Sequence, residues 1–385
     1  MNRPASMLPA PVLGTPPGTG RSVAALLPLT GQNASVGQAM QQAIQLVLAQ
    51  PGSPPLDVRD TGGTAAGAAS AARAALAGGD GLILGPLTAA ETAAVAPIAQ
   101  AAAVPVLAFT SDSAQARPGV WPLGVTPEQQ VRRLVGAVQA EGKTRIAAVL
   151  PQNAFGDALA NGLAQAAGEA QVRRYAPADF ASLDAAMKDV ADYANRRGAI
   201  EARQQAARAS NDPEGRRAAA QIGQEAPPPP PFDALLLGTV GDQLVEVAPL
   251  LTAYDIRPDQ LRIMGPALWE RDAARLPPLA GAWFAAPDPA TRQPFIDAFT
   301  AKYGAPPRPL ASLAYDAAGL ARAAAGPAGF EMGSLVRPEG FAGADGVLAL
   351  TPDGHVRRGL AIFQVDAGRS HVVEPAPQTL AAPGV

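Results

Sequence analysis

The apolar positions of this chain alternate between two periods. Short runs at Val23–Leu29, Leu56–Arg59, Gly81–Leu84 and Val104–Phe109 read as buried strands. Between them, Ser35–Ala49, Ala65–Ala77 and Ala89–Ala102 have helical spacing; in the first, Val36, Met40, Ile44, Val47 and Leu48 share one face. Strand, helix, strand units of this length predict right-handed parallel crossovers. Residues 23–109 should therefore give β-α-β-α-β-α-β, a parallel sheet between helices. In open parallel sheets small ligands sit beyond the carboxyl ends of the strands. That places interest on two loops, Gly85-Pro86-Leu87-Thr88 and Thr110-Ser111-Asp112.

The alternation then repeats. Val120–Gly124 reads as a strand, and Thr126-Pro127-Glu128-Gln129 as a helix start with Thr as cap, Pro first and Gln third. Strands are expected at Arg145–Leu150, Val172–Tyr175, Ala234–Leu237, Arg262–Met264 and Ala282–Ala285, with helices at Gly156–Ala167, after the loop Gly238–Asp242 as far as Tyr254, at Arg292–Tyr303 and at Leu310–Ala325. Val347–Leu350 and Leu360–Val365 should form a hairpin around the Pro-Asp-Gly turn in 351–355.

Ser182–Gln224 is dense in Arg, Gln, Ala and Glu, breaks at Asn211-Asp212-Pro213 and ends in Pro227–Pro231. It reads as an inserted helical arm over 182–231, either a solvated hairpin with a stiff exit or a partner-binding arm. Residues 1–22 read as a flexible tether, and the chain after Val373, within a tail 367–385, as loose.

Length and composition limit the rest. A chain of 385 residues suggests two domains. With 48% hydrophobic residues and a net charge of −3 it can bury ordinary cores and shows no excess for polyanions, so nucleic acid is not an expected partner. The absence of cysteine excludes disulfides, zinc–thiolate sites, iron–sulfur clusters and cysteine nucleophiles. Residues 1–22 lack the apolar core of about 7–15 residues that a signal peptide needs. The nearest approach to a membrane span, Ala93–Phe109, is interrupted by Pro97, Gln100 and Pro105, short of the roughly 20 apolar residues required.

Catalytic signatures are missing: no GxGxxG after a strand, no GxxxxGK[ST], HExxH or GxSxG, and only two histidines, His355 and His371. The reading is a non-enzymatic binding protein without metal or cofactor. Thr88-Ala89-Ala90-Glu91 has the form of a capping box; the same hydroxyl and helix amides can also hold a carboxylate. Thr110 and Ser111 could add hydroxyl and amide groups, although such residues also form turns. Phe155 and Trp269 each stand on a loop after a strand, where an aromatic either covers a ligand or packs under its own helix. Tyr315-Asp316 reads as core packing.

Taken in order, VAALLPLTG, LILGPLTA, VPVLAFTSD, AVLPQNAFGDAL, IMGPALW and SLAYDAAGLA resemble the type I periplasmic binding proteins of the Leu/Ile/Val-binding class over nearly all of 23–365. RDTGGT, GVTPEQQ, the helical insertion before PPPFDALLLG, and GAWFAAPDP are most similar to the branch of penicillin-binding protein activators, LpoA-like. The resemblance implies two Rossmann-like parallel-sheet lobes, 23–121 plus 289–328 and 122–288 plus 329–366, joined by three crossover strands around a ligand cleft. It implies that Thr88 holds a ligand carboxylate, that Phe109, Thr110 and Ser111 add strand-end contacts, and that Phe155 stacks on the ligand. The acidic residue that amino-acid binders place after Met-Gly-Pro is Ala267 here, with Glu270 or Asp272 as substitutes from the same loop. The functions implied are a receptor that closes on an amino-acid-like solute for an ABC importer, or an activator of a peptidoglycan synthase. Either implies the periplasm, where family members are often lipid-anchored through an N-terminal cysteine.

Overall fold

The computed structural model describes residues 20–210 and 212–380. The tether up to residue 19, the last five residues of the tail and Asn211 lie outside the described residues. The chain divides into two compact units. One takes the described residues up to Gly124, Pro294–Pro338 and Leu350–Val356; the other takes Val125–Gln293, Glu339–Ala349 and the described residues from Arg357.

The first unit contains β1 (Val23–Leu27), α1 (Ala34–Leu48), β2 (Leu56–Asp60), α2 (Ala65–Ala77), β3 (Leu82–Leu84), α3 (Ala89–Ala101), β4 (Val106–Ala108) and β5 (Val120–Pro122). The five strands form one parallel sheet in the order β2-β1-β3-β4-β5. Except for the edge strand β2, every strand is buried throughout. Helices on both faces explain why these strands read as unbroken apolar runs. Ala68, Ala71, Ala72 and Ala75 of α2 share a core with Leu26, Ile83 and Val106, whereas α1 packs on the helix Ala311–Ala324.

The Pro-Asp-Gly turn at 351–355 also belongs to this unit. The Trp121 indole donates to Thr351 O at 2.8 Å. Gly354 has φ +93°, and a Cβ there would lie 2.2 Å from Arg117 O, so only glycine fits this contact.

The second unit contains α4 (Pro127–Ala140), β6 (Ile146–Pro151), α5 (Ala154–Ala167), β7 (Gln171–Tyr175), α6 (Phe180–Val190), α7 (Tyr193–Ala209), α8 (Pro213–Gly223), β8 (Ala234–Leu237), α9 (Asp242–Ala253), β9 (Arg262–Gly265) and β10 (Trp283–Ala286). Small strands follow: β11 (Ala325–Gly326) pairs with β12 (Gly329–Phe330) in the first unit, and β13 (Phe341–Gly343), β14 (Gly346–Leu350) and β15 (Val356–Arg358) form a three-stranded sheet. The last strands are β16 (Ala361–Asp366) and β17 (Arg369–Glu374). The main sheet of this unit has the order β17-β16-β10-β9-β8-β6-β7. It is parallel from β7 to β10 and antiparallel at β10, β16 and β17. One face shares a core with α6 and α9, the other with α4 and α5. Among the described residues no helix is long and apolar enough to cross a membrane.

Three expectations are corrected. The strand returning from the 351–355 turn is β15; β16 instead enters the seven-stranded sheet beside β10, because its apolar Ala361–Phe363 run is buried on both faces and fits a central position. The C-terminal stretch is not loose as far as it is described: β17 pairs with β16, and Ala376 and Leu380 are buried. The expected arm shrinks, because α6 buries Leu183, Ala186, Met187 and Val190 and belongs to the core. Only α7 and α8, packed on one another, form the charged arm. Arg196 moors it, donating to Pro228 O at 2.6 Å and to Tyr254 O at 3.1 Å.

Candidate functional site

In the first unit the strand order reverses at β1, which lies between β2 and β3; ligands of open α/β sheets bind at such switch points, beyond the carboxyl ends of the strands. The loops there are closely bonded. At the end of β2, Asp60 accepts from Leu29 N (2.8 Å), Thr30 N (3.2 Å), Thr30 Oγ1 (2.6 Å) and Gly62 N (2.8 Å). These bonds, the Thr30 hydroxyl foremost, hold its carboxyl below the ordinary 3.8.

After β3, Gly85 turns with φ +95°, and a Cβ would lie 2.4 Å from Leu26 O, so glycine is required. Thr88 then caps α3 with both halves of a capping box. Glu91 N donates to Thr88 Oγ1 at 3.2 Å, while Thr88 N and Thr88 Oγ1 both donate to Glu91 Oε2, at 3.0 and 2.8 Å. The other carboxylate oxygen, Oε1, accepts from Thr61 Oγ1 at 2.6 Å. Glu91 is 1% exposed.

After β4, Phe109 is buried, and its N–H donates to Pro86 O at 2.9 Å, joining the two loops. Thr110 is buried too; its hydroxyl accepts from Asp112 N at 3.0 Å and its carbonyl from Gly124 N at 3.0 Å. Ser111 is exposed. Thr88, Phe109, Thr110 and Ser111 are thus neighbours on adjacent strand ends, but only Ser111 presents an exposed side chain.

In the second unit, Phe155 stands in the first turn of α5, half-buried against the core of that face; Asn153 caps this helix by accepting from Gly156 N at 2.9 Å. Trp269 lies wholly inside the core. Its indole donates to Thr239 O at 2.8 Å, and its ring occupies the space a Cβ on Gly265 would need, at 2.2 Å. Its side chain is closed to a solute in this structure. Glu270 is exposed on the next position. Ala267, where an acidic group was expected, gives its N–H to Gln130 Oε1 at 2.7 Å.

Two further bonds tie α9 to β7 and to α6. Tyr175 donates to Gln243 Oε1 at 3.0 Å, and Tyr254 donates to Asp184 Oδ1 at 2.5 Å. Burial pushes the Tyr175 phenol up to about 12, with Glu246 adding to it; burial and Asp184 push Tyr254 up to about 12. Among the described residues no cluster of His, Asp and Glu is placed to hold a metal ion.

Sequence reading missed Asp60 and Thr61 as organisers of the first site. The signal was the Arg-Asp-Thr-Gly-Gly-Thr run at the end of β2, which in the sequence served only as a mark of resemblance.

A family model described as periplasmic binding protein matches residues 22–369. No curated protein matches the sequence. Among solved structures, the chain is similar to a Rhodospirillum rubrum protein provisionally assigned as a branched-chain amino acid ABC transporter, at TM-score 0.66 and 20% identity, covering 91% of this chain and 99% of that one. It is also similar to the C-domain of LpoA from Haemophilus influenzae, a regulator of PBP1A, at TM-score 0.63 and 19% identity, covering 91% and 99%. A third similar structure is the Streptococcus pneumoniae branched-chain amino acid binding protein LivJ with isoleucine, at TM-score 0.53 and 17% identity, covering 92% and 100%. At these identities the likeness establishes a shared fold.

Proposed function

Since the chain belongs to the periplasmic binding protein family, we propose that it is a non-enzymatic periplasmic protein that regulates a peptidoglycan synthase by binding it, and is not a carrier of free amino acids. A regulatory role is the one given for the LpoA C-domain. The observation that carries this reading is the state of Thr88. Its amide and hydroxyl, the donors a ligand carboxylate would need, are both bonded to Glu91.

To admit a ligand carboxylate, Glu91 would have to leave three hydrogen bonds, including the one from Thr61. Bonds to a charged group contribute about 1.5–3 kcal/mol each. Displacement would therefore forfeit roughly 5 kcal/mol or more, against about 8 kcal/mol for a whole micromolar ligand. The evicted carboxylate would also stand beside an incoming one, and like charges repel. At Ala267 there is no acid to hold an ammonium group.

A solute receptor for an ABC importer is the second reading. Ser111, exposed after β4, and Phe155, half-exposed after β6, are the observations in its favour, with Glu270 as a further polar group at the edge. Trp269 then acts as a positioning residue beneath that loop.

Two measurements with the full chain separate them. The regulator reading expects capture of a purified bifunctional peptidoglycan synthase and a change in its glycan polymerisation rate, with no melting shift from leucine or isoleucine. A ligand at 100 times its dissociation constant would raise stability by about 2.7 kcal/mol. A shift of that size with leucine, together with no capture of the synthase, would overturn the regulator reading.

A further inference from the structure

Five large apolar side chains stand out on the described surface: Phe180, Val245, Leu268, Leu310 and Met332. The first three belong to the second unit and share one place in its fold. Phe180 opens α6 after β7, Val245 lies in the first turn of α9 after β8, and Leu268 lies in the short turn after β9. Each is therefore beyond the carboxyl end of a parallel strand. α6, α9 and the Trp269 turn feed one core on one face of the sheet, so the three residues lie on the same side of that edge.

Their exposures are 50%, 58% and 64%, so the described residues of their own unit leave them largely uncovered. A single exposed apolar residue needs no explanation, but a group on one edge marks an interaction site. The loops that carry them are already fixed by hydrogen bonds: Tyr175 to Gln243 at 3.0 Å, Trp269 to Thr239 O at 2.8 Å and Ala267 N to Gln130 at 2.7 Å. Little loop entropy would be lost on binding.

Charge on this edge is one-sided. The stretches 176–182, 238–246 and 266–275 carry Asp179, Asp242, Glu246, Glu270 and Asp272 against Arg271 and Arg275. An apolar patch within an acidic rim complements an apolar segment flanked by cations, and such complementarity sets which partners dock.

We infer that the carboxyl edge of the second sheet, around Phe180, Val245 and Leu268, docks a cationic amphipathic helix of a protein partner. Helices of that kind bury residues spaced by three and four in an apolar groove. The inference rests on reading the chain as a protein-binding regulator, and it names the chemistry of the partner's contact.

The test uses the full chain and a fluorescein-labelled Leu/Lys peptide with a helical apolar stripe, followed by fluorescence anisotropy at low salt. Binding is expected, weakened about tenfold or more in Val245→Asp with Leu268→Asp and about fivefold in Asp242→Lys with Glu270→Lys. A Leu/Glu peptide of the same pattern should not bind. All four positions are exposed or at a helix start, so an unchanged melting midpoint confirms that the variants fold. Absence of Leu/Lys binding, equal binding of the Leu/Glu peptide, or binding indifferent to both variants would overturn the inference. So would a concentration-dependent dimer dissolved by Val245→Asp with Leu268→Asp, which would give the edge to a second copy. Capture of the purified synthase separates the two levels. If the aspartate variant captures it as well as wild type, this edge is excluded while the regulator reading stands; if wild type captures none but discriminates the peptides as expected, the edge stands and the regulator reading falls.

Discussion

Thr61 donates its hydroxyl to Oε1 of Glu91 at 2.6 Å. A residue just past the end of β2 thus holds a carboxylate in the first turn of α3, and Oε2 of the same group takes both donors of Thr88. The helix start that could receive an anion already contains one.

Removing that carboxylate should have a measurable cost. Glu91→Ala leaves the Thr88 amide, the Thr88 hydroxyl and the Thr61 hydroxyl without their shared acceptor in a buried place, and stability should fall by about 2–4 kcal/mol. Glu91→Gln retains the shape and one acceptor oxygen and should lose less. Urea unfolding of the three proteins checks the order. A leucine-induced melting shift already present in wild type would show that Glu91 does not close the site.

Trp269 and Gly265 make a second pair whose space is shared. Gly265→Ala would put a methyl group 2.2 Å from the indole, and the cost of overpacking is about 1–3 kcal/mol. Trp269→Ala should cost more, about 3–5 kcal/mol, because it empties the core and leaves Thr239 O without its donor. In fluorescence, the Trp269 contribution should lie at short wavelength and shift red only on unfolding. Emission at long wavelength in the folded protein would place the indole in water.

The parallel units were legible because helices cover both faces of each sheet. Val23–Leu27 and Leu82–Leu84 are therefore apolar throughout, and the helices between them carry the other period. Caps were legible for the same local reason: Thr126 and Thr88 make the bonds their spacing suggests. What stayed hidden depends on contacts distant in sequence. Trp269 on a loop looks like Phe155 on a loop, and only the Gly265 surface and Thr239 O separate a core indole from a half-exposed ring. Similarly, Thr88 is the same capping residue whether Glu91 is held by Thr61 or free to swing away, and Thr61 lies 30 residues upstream. The two short apolar runs at 347–350 and 360–365 gave no sign that Val356–Arg358 would intervene as the pairing strand.

The phenols of Tyr175 and Tyr254 supply a pH test. Both are pushed up to about 12 from 10.0, burial being the largest cause. A raised tyrosine pKa favours the neutral, protonated form in the folded state. This contribution to stability is therefore complete below pH 10 and is lost as pH rises from about 10 toward 12. Spectroscopic titration near 295 nm should show the Tyr175 and Tyr254 phenols ionising toward 12 in the folded protein and moving back toward 10 in urea. Tyr175→Phe should remove one late step and, by freeing Gln243, about 0.5–1.5 kcal/mol.

A buried ion pair supplies a further test, at Asp345 in the turn between β13 and β14. Its carboxylate is 2% exposed and meets Arg292 NH2 at 2.6 Å and Arg292 Nε at 2.7 Å. Arg358, itself 1% exposed, donates to Asp345 O at 3.3 Å, so two cations converge on one turn. Breaking a buried pair by neutralising one member costs about 3–5 kcal/mol. Because the Arg292 side chain is 29% exposed and can be rehydrated, Asp345→Asn should cost nearer the lower figure, about 3 kcal/mol. The isosteric amide keeps the packing, so the loss reports the charge. Arg292→Met combined with Asp345→Asn should restore part of that stability, since neither partner then remains charged; chemical denaturation of the two single variants and the double variant gives the coupling. Strict additivity across the cycle would mean that the two side chains are neighbours without being an ion pair.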